Sequence, residues 1–306
     1  MSIVDIIDSS AGSADSTGEW SYAQAFCRNQ GLIAPAEQAR LRDCRVAIPG
    51  MGGVGGVHLT TLARMGIGKF TIADPDVFEP ANFNRQAGAT IPNLGRHKTR
   101  VMAEQARAIN PELDLRVFPE ELDRHNVESF LEGADVLVDG IDFFAVAARR
   151  LVFQEARRRG IWAVTAGPIG FSTAWLAFDP RGMSFDEYFD LHDDQDYLEQ
   201  LIAFAVGLTP RATQRGYFRV SGVRVEQRTG PSLGLACQLA SGVAAAEVAK
   251  ILLQRGIVRP APWFAQFDAY RGQFRHGRLR GGNRHPWQRL KRWVLARQYR
   301  KRAKAA

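Results

Sequence analysis

The stretch RVAIPGMGGVGG, residues Arg45 to Gly56, decides how the rest of the chain is read. Val46, Ala47 and Ile48 form a short apolar run of strand type, and glycines follow at once. GMGGVG places Gly50, Gly52 and Gly55 in a G-x-G-x-x-G register, and HLTTLARMG after it has helical spacing. Glycines let the backbone turn sharply and come close to a phosphate, and the start of the next helix offers unpaired N–H groups with a positive partial charge. A second strand, Lys69 to Ala73, ends at Asp74-Pro75-Asp76. Asp74 falls 19 residues after Gly55, where a carboxylate can accept from ribose hydroxyls. A strand, a phosphate-binding turn, a helix and a strand ending in an acid describe a nucleotide site.

Outward from this unit the alternation continues. Helices are expected over Lys98–Ile109, Asn126–Leu131 and Phe144–Arg159. Strands are expected over Leu113–Phe118, Ala134–Gly140, Ile161–Thr165 and Thr173–Phe178. Upstream, Tyr22 to Arg42 has an amphipathic helical pattern. Such alternation predicts an α/β fold with a doubly wound, mostly parallel sheet. After Asp179-Pro180 the pattern weakens into an acidic, aromatic loop. Helices return at Leu198–Val206 and in the Gly- and Ala-rich Gly230–Leu253, a closing strand is expected at Phe264–Phe267, and a basic amphipathic helix at Pro286–Arg302. The organisation predicted is a flexible lead-in (1–18), a nucleotide-binding domain (19–180), a crossover loop with the substrate-side completion of that domain (181–285), and a C-terminal basic helix (286–306).

The formal charge of the 306 residues is +8, but it is unevenly placed. From Arg271 to the end there are thirteen Lys or Arg and no Asp or Glu, and the preceding 270 residues carry a net −5. Such a tail is either a solvated helix that packs on the body or a surface for acidic partners, nucleic acid or anionic lipid. In that helix Trp287, Leu290, Trp293, Val294 and Leu295 cluster on one side. No apolar run approaches the roughly 20 residues needed to span a bilayer, so no transmembrane segment is expected. The first residues lack the pattern of a secretory signal. Cys27, Cys44 and Cys237 form no C-x-x-C pair, which gives neither a disulfide framework nor a cysteine zinc site and makes a reducing cytoplasm the expected location.

The glycine turn alone would suit a nicotinamide dinucleotide equally well. The segment DPDVFEPANFNRQAGATIPNLGRHK, Asp74 to Lys98, separates the two. A redox dinucleotide is bound largely by backbone, whereas this segment supplies Asn82, Arg85, Gln86 and Lys98. A forked guanidinium and an ammonium suit a triphosphate. VDGID adds Asp139 and Asp142 at a strand's carboxyl end, where a carboxylate can hold Mg²⁺ against phosphates. Asp139 is expected to cap a turn while Asp142 alone faces the metal. The six histidines are scattered and suggest no metal set, and Cys237 reads as a small core residue.

As a set, GMGGVG, the following DPD, the NFNRQ block, Lys98 thirteen residues after Arg85, and the VDGID strand end resemble the ThiF/MoeB/HesA family, bacterial relatives of ubiquitin-activating enzymes. The resemblance is close over Tyr22–Pro180 and looser over Gly230–Arg289. It implies a Rossmann-like, usually homodimeric adenylyltransferase that uses ATP and Mg²⁺. By that resemblance Gly50, Gly52, Gly53 and Gly55 line the nucleotide turn, and Asp74, with Asp76 beside it, binds the ribose. Asn82, Arg85 and Lys98 contact phosphates with Gln86 alongside, and Asp142 binds Mg²⁺. Arg28, in CRNQGL, takes the place of an arginine that reaches the neighbouring subunit's ATP, after a two-residue gap. The chain departs from the family in lacking two C-x-x-C zinc pairs, in lacking a cysteine between 180 and 230, and in having Phe143 where the family has Asn after the metal-binding Asp. The implied step converts a carboxylate and ATP to an acyl-adenylate and pyrophosphate. A carboxylate is already ionised at pH 7, so alignment and charge neutralisation suffice. The acyl substrate expected is the carboxyl terminus of a ubiquitin-like or sulfur-carrier-like protein or of a peptide. Alternatives are a carboxylate on tRNA, reached through the basic tail, and a binding module without turnover.

Overall fold

The computed structural model describes residues 19–303; the expected lead-in, 1–18, lies outside them. One eight-stranded sheet runs through the molecule in the order β3-β2-β1-β4-β5-β6-β7-β8. β1 (Arg45–Pro49), β2 (Lys69–Ala73), β3 (Asp114–Phe118), β4 (Val136–Asp139) and β5 (Trp162–Ile169) pair in parallel. β6 (Ser172–Phe178), β7 (Trp263–Asp268) and β8 (Gln273–Arg278) continue the sheet antiparallel.

The middles of the central strands are apolar on successive residues because both of their faces are covered. Val46 and Ile48 of β1, with Val136 and Val138 of β4, join one core with Leu59 and Leu62 of α3 (Gly55–Arg64), Val101 and Met102 of α4 (Lys98–Ile109) and Ala240, Ala244 and Val248 of α9 (Gly234–Leu253). Ala47 and Leu137 point the other way. They meet Val127 and Phe130 of α5 (Val127–Phe130), Val152 and Phe153 of α6 (Val146–Arg158), Phe185 and Phe189 of α7 (Phe185–Phe189) and Phe204 of α8 (Tyr197–Leu208). Alternate residues of a strand therefore feed two cores, as the pleat requires. α9 alone, among the described residues, is long and apolar enough by length and composition to cross a bilayer, and half of it is buried inside the protein. Its Ala, Cys and Ser side pack into the core against α3.

Two expectations change. Tyr22–Arg42 is not one helix. α1 (Tyr22–Ala25) gives way to a 3₁₀ turn, Cys27–Asn29, and α2 (Pro35–Asp43) starts afresh. Gly31 between them has φ +90°, and Pro35 begins α2 where no helical N–H is needed. The strand β8 was not anticipated: QFRHGR is largely exposed and has no apolar alternation. The C-terminal helix, α10 (Pro286–Ala303), forms where expected.

Candidate nucleotide-binding site

The sheet order reverses between β1 and β4, and in open α/β sheets the crevice beyond that point is where ligands bind. The glycine turn fills this position. Gly50 has φ +87°, and a Cβ there would lie 2.2 Å from the Gly140 carbonyl oxygen at the end of β4. A Cβ at Gly55 would lie 1.8 Å from the Gly50 carbonyl oxygen. These two glycines are needed for the strand ends and the start of α3 to meet.

Gly52 and Gly53 face elsewhere. Their nearest side-chain neighbours are the Gln86 amide, 3.6 Å from a Cβ built on Gly52, and Cys237 Sγ and Arg85 Cγ, 3.2 and 3.5 Å from one built on Gly53. The Asn82–Gln86 hairpin is therefore folded over the side of the turn. It is held there by backbone bonds from Arg85 N and Gln86 N to the Asn82 carbonyl, and by the Asn82 side chain, which accepts from Glu79 N at 2.9 Å. Arg85 donates to Ala81 O at 2.8 Å and to Asn84 Oδ1 at 3.0 Å. Gln86 is buried, and its Oε1 has no hydrogen-bond partner among the described residues. The amino end of α9 closes the same side, since Gly234 N donates to Asn84 O at 3.2 Å.

Asp74 is buried. It accepts from Met51 N at 2.6 Å and Asp76 N at 2.9 Å, so it braces the glycine turn from beneath. Burial pushes its carboxyl up, against the pull of Lys98 and of these two N–H groups. Lys98, also buried, begins α4. Its Nζ lies 2.7 Å from Asp76 Oδ2 and 3.9 Å from Asp74 Oδ1. Gly50, Gly52, Gly53, Gly55, Asp74, Asp76, Asn82, Arg85, Gln86 and Lys98 thus form one neighbourhood.

At the end of β4 the two acids divide. Asp139 is saturated, accepting from Arg149 Nε at 2.8 Å, Thr165 Oγ1 at 2.7 Å and Ile141 N at 3.1 Å. Asp142 is exposed, and among the described residues its Oδ1 accepts only from Phe144 N, at 2.9 Å. Arg149, which sequence reasoning did not single out, also donates from Nη2 to the carbonyls of Ile141 and Asp142. It ties down the turn that presents Asp142. Among the described residues no three His, Cys, Asp or Glu side chains converge as a metal-binding set. The donor chemistry suits Mg²⁺, which takes one or two carboxylates and completes its shell with phosphates and water.

Arg28 is outside this neighbourhood. It is exposed on the 3₁₀ turn that Asn29 and Tyr22 pin to Met65 O and Gly66 O, at the far end of α3. The ten residues of α3 put it roughly 15 Å along that helix from the glycine turn of its own chain. Cys237 is buried in the first turns of α9, and burial pushes its thiol up to about 11.

Comparison with known proteins identifies the family and the fold. The chain is 34% identical over 153 residues to a tRNA threonylcarbamoyladenosine dehydratase of Haemophilus influenzae, covering 50% of this chain and 58% of that protein. It is 33% identical over 129 residues to the SAMP-activating enzyme E1 of Haloferax volcanii, covering 42% of this chain and 47% of that protein. The chain thus spans about half the length of the curated relatives it matches. Among solved structures, Escherichia coli MccB with ATP superposes with a TM-score of 0.62 at 19% identity, covering 88% of this chain and 73% of MccB. Escherichia coli TcdA gives 0.57 at 22%, covering 76% and 95%. At such identities the likeness is one of fold. The ThiF family profile matches residues 26–287, and the chain belongs to the ThiF family.

Proposed function

We infer that the protein adenylates a carboxylate with ATP and Mg²⁺, and that the carboxylate is the C-terminus of a ubiquitin-like protein, a sulfur-carrier-like protein or a peptide. The observation that carries this reading is the Arg85–Gln86 hairpin folded against Gly52 and Gly53 at the switch point. It adds a guanidinium to a turn that already offers the N–H groups of a helix start, which suits a polyphosphate. ATP supplies the adenylyl group when bound.

In this reading Gly52 and Gly53 leave room for the phosphates. Asp74 holds the glycine turn in shape and accepts from the ribose. Lys98 and Arg85 neutralise phosphate charge, with Lys98 exchanging its present partner Asp76 for the ligand. Asp142, held by the Arg149-braced turn, is the carboxylate for Mg²⁺. No general base is needed, since the attacking carboxylate is already ionised. Substrate approaches from the crossover segment, where Arg228 lies 6.0 Å from the Tyr197 ring centroid and Tyr197 donates to Phe144 O at 2.9 Å, just past Asp142. Arg28 serves the neighbouring active site of a homodimer, since it is remote from its own. The three free cysteines suit a reducing cytoplasm.

The exposed arginines 211, 215, 219, 224 and 228 favour one second reading, a carboxylate carried on tRNA. The test is a screen of pyrophosphate release and of pyrophosphate–ATP exchange with carboxyl-terminal peptides and with tRNA. Exchange that depends on a peptide supports the first reading, and exchange only with tRNA supports the second. ATP binding without turnover on any acceptor would leave a non-catalytic module.

A further inference from the structure

α10 is mounted with its polar side inward. Gln288 is buried and donates to Val206 O at 3.0 Å. Lys291 donates to Pro210 O at 2.7 Å, and Arg292 pairs with Asp190 at 2.6 Å. The apolar side is left outward: Trp287 is 67% exposed, Leu290 47%, Trp293 56% and Val294 36%. A surface helix of a soluble protein normally turns such residues toward the core. Here Leu295 alone of the five clustered apolar residues is turned partly inward.

The outward side is also cationic. Arg289, Arg297 and Lys301 are exposed and make no ion pair among the described residues, and Arg297 lies 5.3 Å from the Trp293 ring centroid. Arg297 and Lys301, with Trp293, Ala296 and Arg300, border a hollow of about 310 Å³. The carboxylates that reach α10, namely Asp190, Asp196, Glu199 and Glu226, are engaged by Arg292, Arg300 and Tyr299.

We propose that this face of α10 is a docking surface for an anionic lipid bilayer, with Trp287, Leu290, Trp293 and Val294 entering the headgroup boundary and Arg289, Arg297 and Lys301 meeting lipid phosphates. Charge decides the occupant. Two copies paired through this face would set Arg289, Arg297 and Lys301 against the same cations, so a second copy is disfavoured. A nucleic acid would satisfy the cations but would leave Leu290 and Val294 without an apolar partner. A bilayer with anionic headgroups satisfies both, which is the composition of a helix lying in the membrane plane. The inference is independent of adenylation, because no residue of this face belongs to the nucleotide site.

The test is co-sedimentation of the full chain with vesicles of phosphatidylcholine alone or mixed with phosphatidylglycerol, whose anionic headgroups set a negative surface potential, with pyrophosphate exchange measured alongside. Binding is expected only to the anionic vesicles, weakening with salt, with a blue shift of tryptophan fluorescence. Arg297→Ser with Lys301→Ser should weaken it roughly thirtyfold, about fivefold per charge. Leu290→Glu with Trp293→Ser should abolish it, and both variants should keep the exchange rate of the parent. Equal binding to neutral vesicles, no binding to either, displacement of the vesicles by tRNA at equal phosphate concentration, or a dimer that Leu290→Glu dissociates would each overturn the proposal.

Discussion

A methyl group added at Gly55 would lie 1.8 Å from the Gly50 carbonyl oxygen, whereas one at Gly52 meets only the Gln86 amide, at 3.6 Å. Gly55→Ala is therefore expected to cost several kcal/mol of stability and lower the melting temperature, because backbone must move. Gly52→Ala should melt within about 0.5 kcal/mol of the parent yet weaken ATP binding, because the added carbon occupies ligand space. Thermal denaturation and ATP titration of the pair separate a structural glycine from a binding one. At Asp142 the exposed carboxylate leaves room for alanine without disturbing the core, so Asp142→Ala should keep its fold and lose pyrophosphate–ATP exchange by a factor of about 100 or more. An unchanged exchange rate would remove the metal assignment. His58 gives a pH prediction. It is buried in α3, where burial outweighs the opposing pull of the nearby Asp139 and lowers its pKa from 6.5 to about 4. Between those values the unfolded chain binds more protons than the folded one. His58 therefore contributes stability that is full above pH 6.5 and is lost as pH falls toward 4. His58→Leu should flatten the fall in melting temperature across that window; an unaltered slope would mean that other groups set the acid limit.

Arg149 acts at the scale of an element. It joins α6 to the end of β4 through Asp139 and to the Ile141–Asp142 carbonyls, and both side chains of the ion pair are only 3% exposed. Arg149→Met leaves Asp139 buried without its cation, and a loss of about 3 kcal/mol is expected, measurable by urea denaturation. Where the chain stays folded, the apparent Mg²⁺ requirement for exchange should rise, because the Asp142 turn is no longer tied. None of this was legible in the sequence, where an arginine followed by Arg150 in a helical pattern reads as a solvated face. The units around it were legible. β1, β2 and β4 are apolar runs cut off by Pro, Asp or Gly, and their ends are where the nucleotide residues stand. What failed to show lacked such punctuation or such apolar content. β8 is an exposed edge stabilised by pairing with β7 through its backbone, and the first helix already ends at Ala25, before the left-handed Gly31 and the new start at Pro35, at a point with no Gly or Pro to mark it.

For the whole molecule, charge counting located the basic tail and helical spacing located its apolar side, but neither told which side would face the body. That was decided by buried and half-buried polar bonds from Gln288, Lys291 and Arg292 to groups 82, 81 and 102 residues away respectively. The same holds for the site. The glycine turn, Asp74, the hairpin carrying Arg85, Lys98 and Asp142 are each readable alone, and only the reversal of strand order between β1 and β4 gathers them into one crevice. That crevice is claimed for a triphosphate over a redox dinucleotide because of the cations placed around it. Calorimetric titration of the full chain with ATP and with NAD, each in the presence of Mg²⁺, tests the claim most directly. The account predicts saturable ATP binding that weakens roughly tenfold or more in Arg85→Ala and Lys98→Ala, with no heat from NAD. Binding of NAD with no response to ATP, or ATP binding untouched by both substitutions, would contradict it.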